Sequence, residues 1–315
     1  MDKIIVLGVC CLDMLVGPVT PALFEVDSTQ VSIESFPGGD ACNVALNTAA
    51  LGVRPLLVSA VGEDPQGAWI RDYLDRHGVD TAGLAASKDC GTAVSLVMTE
   101  PDGERHFLTS TEVFRDISPA FITDECLKEV RFLSLNSFYR GAQLDGASVA
   151  ALFHRAHALG IRTVVDTLRC RTGDPLAQIA PVLSETDFFL PSYDEAVQIT
   201  GKKEPREMAE VLRPFGTRVF IVKLGSRGCF CMDYEKDEAC EFPAVPAAHP
   251  VSTVGAGDAF CSGLIAALLR GNDLRESICF ASAAASMTVQ VNHATGAFSS
   301  FEEVENYARA AQKNL

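Results

Sequence analysis

The sequence predicts an α/β protein: a doubly wound, mostly parallel sheet with helices on both faces and a small β lid. Three observations predict it. Short β-rich runs alternate with helical patterns over most of the 315 residues. The runs are nearly continuous in apolar residues, as strands covered on both faces must be. Two polar, alternating segments interrupt that rhythm without a helix of their own.

Taken in order, the first buried strand is expected at 4–8, followed by a polar, β-like segment at about 14–37. Helical periodicity then covers 40–51, with a strand at 56–61 and a second helix at 67–77. Around 90–110, two alternating runs (92–99 and 104–109) flank Glu100-Pro-Asp-Gly103, which reads as a hairpin. This hairpin and the 14–37 segment are expected to form the lid, above the carboxyl ends of the strands where open α/β sheets bind ligands. Further strands are expected at 130–135, 162–166, 187–190 and 218–223, with helices at 145–159 and 205–212. Late in the chain helices take over, and Asp273-Leu-Arg-Glu276 and Ser300-Phe-Glu-Glu303 both read as capping boxes. With no repeat, low-complexity tract or linker, residues 1–315 are expected to form one domain.

Composition narrows the function. An apolar content of 48% with 21% charged residues fits a chain with a sizeable core. The net charge of −15 argues against nucleic acid or an anionic membrane as partner. It also requires that any phosphate site be built locally. Met1-Asp2-Lys3 before a short apolar run interrupted by Asp13 makes a poor signal peptide and is too short for a span, so a cytoplasmic location is expected. The eleven cysteines are scattered without a Cys-x-x-Cys pair and read as buried thiols. Cys229 and Cys231 are expected on one face of a strand. His154 and His157, three apart on a helix with no third ligand near, read as surface histidines.

The chemistry is concentrated at Val251-Ser-Thr-Val-Gly-Ala-Gly-Asp258 and the apolar helix it opens. Gly255 and Gly257 let the backbone turn tightly and approach a ligand without a Cβ. The first amides of the helix point outward with the positive end of the dipole behind them, which is an anion site. Asp258 beside it would repel an anion unless it has a proton to accept, a pairing that suggests phosphoryl transfer to an alcohol. The same residues could be a plain helix start with a dipole-compatible Asp. No Gly-x4-Gly-Lys-Ser/Thr occurs, and Phe260 stands where the dinucleotide fingerprint needs glycine, so neither a P-loop nor a Rossmann NAD site is present.

With these parts the chain resembles the ribokinase-like (PfkB-type) carbohydrate and nucleoside kinases over essentially its whole length. Gly8-Val-Cys-Cys-Leu-Asp13 looks like the first strand ending in a substrate-binding Asp. Pro37-Gly-Gly-Asp-Ala-Cys-Asn43 is similar to the first signature, and Val58–Gly67 to the strand and turn that follow. Pro191-Ser-Tyr-Asp-Glu-Ala196 sits where the family has Asn-x-x-Glu, Lys223-Leu-Gly-Ser-Arg-Gly228 resembles the nucleotide-side turn, and Gly255-Ala-Gly-Asp258 the second signature.

The resemblance implies an ATP-dependent kinase of a neutral free sugar of the ribose or fructose type, or alternatively a nucleoside kinase. Asp258 would be the base, with the amides of Gly255, Ala256 and Gly257 at the γ-phosphate. The acceptor would lie against Asp13, Gly38, Gly39, Asp40 and Asn43, with Asn136 as a further ligand. ATP would lie beside Lys223, Gly225, Ser226 and Gly228, with Thr253 ahead of the cradle and Glu195 holding Mg2+ and phosphate. Such lids often pair, so a homodimer through the lid is expected. A non-catalytic sugar-binding relative is the third reading.

Several residues depart from the pattern. Ser252 stands where the family usually has Asp, which weakens a monovalent-cation site. Ser192 replaces Asn, and Ser192-Tyr-Asp-Glu195 is also a capping box. Asp40 falls where ribokinases carry Lys and would favour hydroxyls over an acidic sugar. Val165-Asp166-Thr-Leu-Arg169 only faintly matches Asp-Pro-Asn-x-Arg, and Arg169 reads as an ion-paired surface residue. Phe36, Phe107, Phe114 and Phe138 could wall a nucleoside base or pack the lid.

Overall fold

The computed structural model describes residues 2–101 and 104–312. The turn expected at Asp102-Gly103 lies outside them. The chain order is β1 (Lys3–Leu7), β2 (Cys11–Gly17), β3 (Ser32–Gly38), α1 (Asp40–Ala50), β4 (Arg54–Gly62), α2 (Pro65–Arg76) and β5 (Leu84–Ser87). Next come β6 (Val94–Thr99), β7 (Arg105–Thr109), α3 (Asp124–Leu127), β8 (Val130–Phe138), α4 (Gly146–Ala158), β9 (Arg162–Thr167) and α5 (Pro175–Leu183). Then follow β10 (Phe188–Phe189), α6 (Tyr193–Thr200), α7 (Pro205–Leu212), β11 (Val219–Lys223), β12 (Cys229–Asp233) and β13 (Glu238–Phe242). Helices α8 (Ala256–Leu269), α9 (Leu274–Thr288) and α10 (Phe301–Gln312) complete the fold.

The large sheet has nine strands in the order β13-β12-β11-β10-β9-β8-β1-β4-β5. All neighbours are parallel except at the β11-β12-β13 edge, where they are antiparallel. Alternation along β1 shows why its apolar run is unbroken. Ile4 and Val6 enter the core under α1, α2, α8, α9 and α10, and Ile5 and Leu7 the core under α4, α5, α6 and α7. The strand order reverses at β1, the switch point at which such sheets bind ligands. Cys229 and Cys231 share one face, and all eleven cysteines are free.

Packing of α8 on α9 depends on small residues. A Cβ at Gly263 would lie 2.9 Å from the Ala281 Cα, so only glycine permits this approach. Asp145 caps α4 through the amides of Ala147 and Ser148, and Asp273 and Glu276 form a complete capping box on α9. The second predicted box is only half made. Ser300 Oγ accepts from the Glu303 amide, but the Glu303 carboxylate reaches the amide and hydroxyl of Ser299 instead of Ser300.

The two interrupting segments form one four-stranded sheet, in the order β3-β2-β6-β7. Opposed pairs place Phe36, Asp13, Ser95 and Thr109 in one row on one face. The 14–37 segment also contains a 3-10 turn at Pro21–Glu25 that its β-like pattern did not predict. No described helix is long and apolar enough to cross a membrane.

Candidate active site

The carboxyl ends of the parallel strands bring distant polar residues to one cleft. Asp166 lies near the end of β9, Glu195 lies in α6 after β10, and Lys223 ends β11, whereas Asp13, expected to close the first strand, lies on β2 of the four-stranded sheet because β1 already ends at Leu7. Asp40 and Asp258 occupy the first turns of α1 and α8, which pack together.

Gly255 caps α8 in the left-handed region (φ 76°), and a Cβ there would lie 2.4 Å from the Ala294 Cα. The turn is therefore closed to any other residue, and the α8 amides face the cleft. Asp258 Oδ2 accepts a hydrogen bond from Asn43 Nδ2 at 2.8 Å. Asn43 is 5% exposed, and its Oδ1 is buried with no partner among the described residues. A buried carbonyl oxygen left unpaired calls for a donor, such as an ordered water or a ligand's hydroxyl. Burial, and then Asp40, hold the Asp258 carboxyl well above the ordinary carboxylate range against the lowering effect of Asn43.

The glycine pair shapes the neighbouring wall. A Cβ at Gly38 would overlap Asp13 Oδ2, and Gly39 (φ 91°) lies against the Val9 carbonyl. Asp13 Oδ1 accepts from Cys11 Sγ at 3.3 Å, and burial pushes Asp13 up to about 6. Asp40 Oδ2 accepts from Ser137 Oγ at 2.9 Å.

On the other side, the Lys223 ammonium bonds Asp166 at 2.5 Å and lies 3.3 Å from where a Gly257 Cβ would sit. Burial alone would lower Lys223, but Asp166 and Glu195 hold it above its usual value. Burial pushes Asp166 up against the pull of Lys223. Glu195 Oε2 accepts from the Ser192 amide at 2.8 Å and from Thr167 Oγ1 at 3.4 Å. Its Oε1 bonds no described residue, so the capping role leaves one oxygen for a cation. A hard oxygen donor among carboxylates suits Mg2+. Gly225 and Ser226 form an exposed turn after β11, and Gly228 (φ 89°) lies against the Phe242 carbonyl. Thr253 is exposed just ahead of the α8 turn.

Some expected residues do not join the cleft. Asn136 is fully buried, with its amide spent on Ser134 Oγ and Cys261 Sγ, so its side chain is not offered to a ligand. Phe114 and Phe138 are core residues at 4% and 1% exposure and wall nothing. Arg169 has no carboxylate partner among the described residues; its carbonyl accepts from Arg140. His157 is not a plain surface histidine, since it bridges Glu185 and Asp187 at the opposite end of the strands. Conversely, the partnership of Asp166 with Lys223 was missed, although a carboxylate next to the end of a buried strand was a signal for it. His293, whose ring stacks on Phe36 at 3.9 Å, gave no sequence signal.

Comparison with known proteins places the chain in a family. An aminoimidazole riboside kinase from Salmonella typhimurium is 28% identical over 308 residues, covering 92% of this chain and 89% of its own. A ribokinase of Arabidopsis thaliana, solved with ribose and ATP, superposes with a TM-score of 0.83 at 21% identity, covering 98% of this chain and 99% of its own. An E. coli chain assigned as a ribokinase II, solved with ATP and Mg2+, superposes with a TM-score of 0.85 at 20% identity, over 98% of this chain and 100% of its own. The fold is thus ribokinase-like. The model of the pfkB family carbohydrate kinases matches residues 1–300, and the chain belongs to that family of phosphotransferases with an alcohol group as acceptor.

Proposed function

We propose that the protein transfers the γ-phosphoryl group of ATP to a hydroxyl of a neutral free sugar of the ribose or fructose type. The observation that carries this reading is the Asp258–Asn43 pair beside the Gly255 turn, with the buried Asn43 Oδ1 still lacking a donor. The acceptor hydroxyl lies beside this pair and gives its proton to Asp258 Oδ1, the oxygen that Asn43 does not engage. Such general-base help is worth roughly 10²–10⁴-fold. The high proton affinity of Asp258 suits it to that task. Asp13 and the backbone at Gly38 and Gly39 hold the remaining hydroxyls, and Asp40 disfavours an anionic acceptor.

The amides of Ala256 and Gly257 face the transferring phosphoryl group, with the Lys223 ammonium behind them. The nucleotide lies toward Gly225, Ser226 and Gly228, with Thr253 at the edge. Glu195 Oε1 is the residue to hold Mg2+, which would supply charge neutralisation for the phosphates. Ribose with ATP, and ATP with Mg2+, in two of the related structures support this assignment. The four-stranded sheet serves as the lid that excludes competing water, and residues 1–315 act as one unit.

A nucleoside acceptor is the second reading. The riboside acted on by the Salmonella relative and the aromatic Phe36–His293 pair near Asp13 favour it. On the face of the lid opposite Asp13, Ile33 and Leu108 are exposed by 56% and 57%. They support pairing of two lids, checked by sedimentation of wild type and Leu108→Glu.

The test is ADP release with MgATP over pentoses, hexoses, sugar acids and nucleosides, with Asp258→Asn in parallel. A strong neutral-sugar responder lost in Asp258→Asn supports the proposal. A responder confined to nucleosides selects the second reading. ATP binding without turnover of any acceptor would leave the non-catalytic relative.

A further inference from the structure

We infer that His293 is a positioning residue that couples the lid to the phosphate cradle. The inference rests on the kinase reading above. His293 and Ala294 lie in the segment between α9 and α10 and touch opposite halves of the site. On one side, the His293 ring stacks on Phe36 with centroids 3.9 Å apart and planes tilted by 39°. Its Nε2 lies 4.0 Å from the Glu34 carboxylate. Both partners belong to β3, and Phe36 is the cross-strand partner of Asp13, on the same face.

On the other side, Ala294 is seated on the cradle. Its Cα lies where it excludes any side chain at Gly255, and its carbonyl accepts from Asn47 Nδ2 at 3.3 Å. Asn47 stands one helical turn beyond Asn43, which bonds Asp258. Two consecutive residues therefore span from the strand paired with Asp13 to the turn and helix that set the anion site and the base.

The His293 Nδ1 is buried and has no partner among the described residues. The ring is held by the stack on Phe36 and not by hydrogen bonds to its own segment. The lid already bears on His293 through Phe36, and an acceptor held by Asp13 on the adjoining strand keeps that contact in place, with Ala294 against Gly255. Transfer to the acceptor is then favoured over transfer to water, because the cradle is complete only with the lid in place. A misplacement of about 1 Å at such a site costs on the order of 10²-fold in rate.

The experiment compares wild type, His293→Ala, His293→Phe and Phe36→Leu. For each, acceptor-dependent ADP release, ATP hydrolysis without acceptor, MgATP affinity by calorimetry and Tm are measured. His293→Ala and Phe36→Leu are expected to lower kcat for the acceptor at least ~10-fold and to raise the ratio of hydrolysis to transfer. MgATP affinity should stay within about twofold, and His293→Phe, which keeps the stack, should recover most of the rate. The inference is overturned if His293→Ala keeps its kcat, if His293→Phe is as impaired as His293→Ala, or if only Tm moves. Should His293→Ala not fold, Phe36→Leu on the lid decides by the same readouts. A wild type that turns over no acceptor would sink the kinase reading itself, whereas an active wild type with a fully active His293→Ala sinks only this inference.

Discussion

Asn43 Nδ2 donates to Asp258 Oδ2 at 2.8 Å, so a residue near the first turn of α1 fixes a carboxylate in the first turn of α8, 215 positions away. The bond aims one carboxylate oxygen, and the other is the one that the proposed mechanism assigns to the substrate proton. Asp258→Asn keeps the shape and removes the base. It should lower kcat by about 10²–10⁴-fold with MgATP affinity nearly unchanged. Single-turnover kinetics beside calorimetry check this. Wild-type activity in Asp258→Asn would refute the base assignment.

The raised carboxyls predict opposite pH trends for activity and apo stability. Burial first, and Asp40 further down, lift Asp13 to about 6, while the Cys11 thiol pulls it down. The folded state therefore binds a proton that the unfolded chain, with its carboxylate near 4, releases. That contribution to stability is present below about pH 4 and is lost as pH rises through about 6. Thermal melts of the apo protein should show Asp13→Asn gaining on wild type above that window, by up to about 3 kcal/mol. Acceptor KM should move the other way, rising as pH falls below about 6, because protonated Asp13 accepts hydroxyl hydrogen bonds less well. A KM independent of pH would remove Asp13 from the acceptor site.

Much of this was legible because it is local. Unbroken apolar runs gave the buried strands, and turn glycines with a following carboxylate gave the α8 cradle. The strand expected at 187–190 starts only at Phe188 because the amides of Asp187 and Thr163 donate to each other's side chains instead of to ladder carbonyls. What was illegible is set by tertiary contact. Asp166 and Lys223 are 57 residues apart, and only the sheet order makes them a pair. Asn136 looked available at a strand end, yet Cys261 of α8 takes its amide. No periodicity marks His293, whose role depends on a lid strand more than 250 residues earlier.

The Lys223–Asp166 pair should behave as a unit. Both side chains are largely buried, so removing one partner leaves an uncompensated charge, at a cost of about 3–5 kcal/mol. Lys223→Met should therefore destabilise strongly, and the double change with Asp166→Leu should recover part of the loss. Denaturant midpoints of the two single variants and the double variant test this. Additive losses would mean that the pair is not coupled. The double variant, even if stable, should remain impaired in transfer, because the ammonium beside Gly257 is gone.

Ser252 carries the last expectation. It is 8% exposed, its amide donates to the Val289 carbonyl, and its hydroxyl accepts from the Val254 amide at 3.1 Å. A neutral side chain engaged in shaping its own turn offers a monovalent cation little, whereas Lys223 already supplies fixed positive charge on the cleft side of α8. Steady-state rates in K+, Na+ and tetramethylammonium at constant ionic strength should agree within about twofold. A strong, saturable activation by K+ would show that backbone carbonyls alone suffice for the site. In that case Ser252→Asp should tighten K+ activation, while a chain that does not need the cation should be unmoved or slowed by the added negative charge.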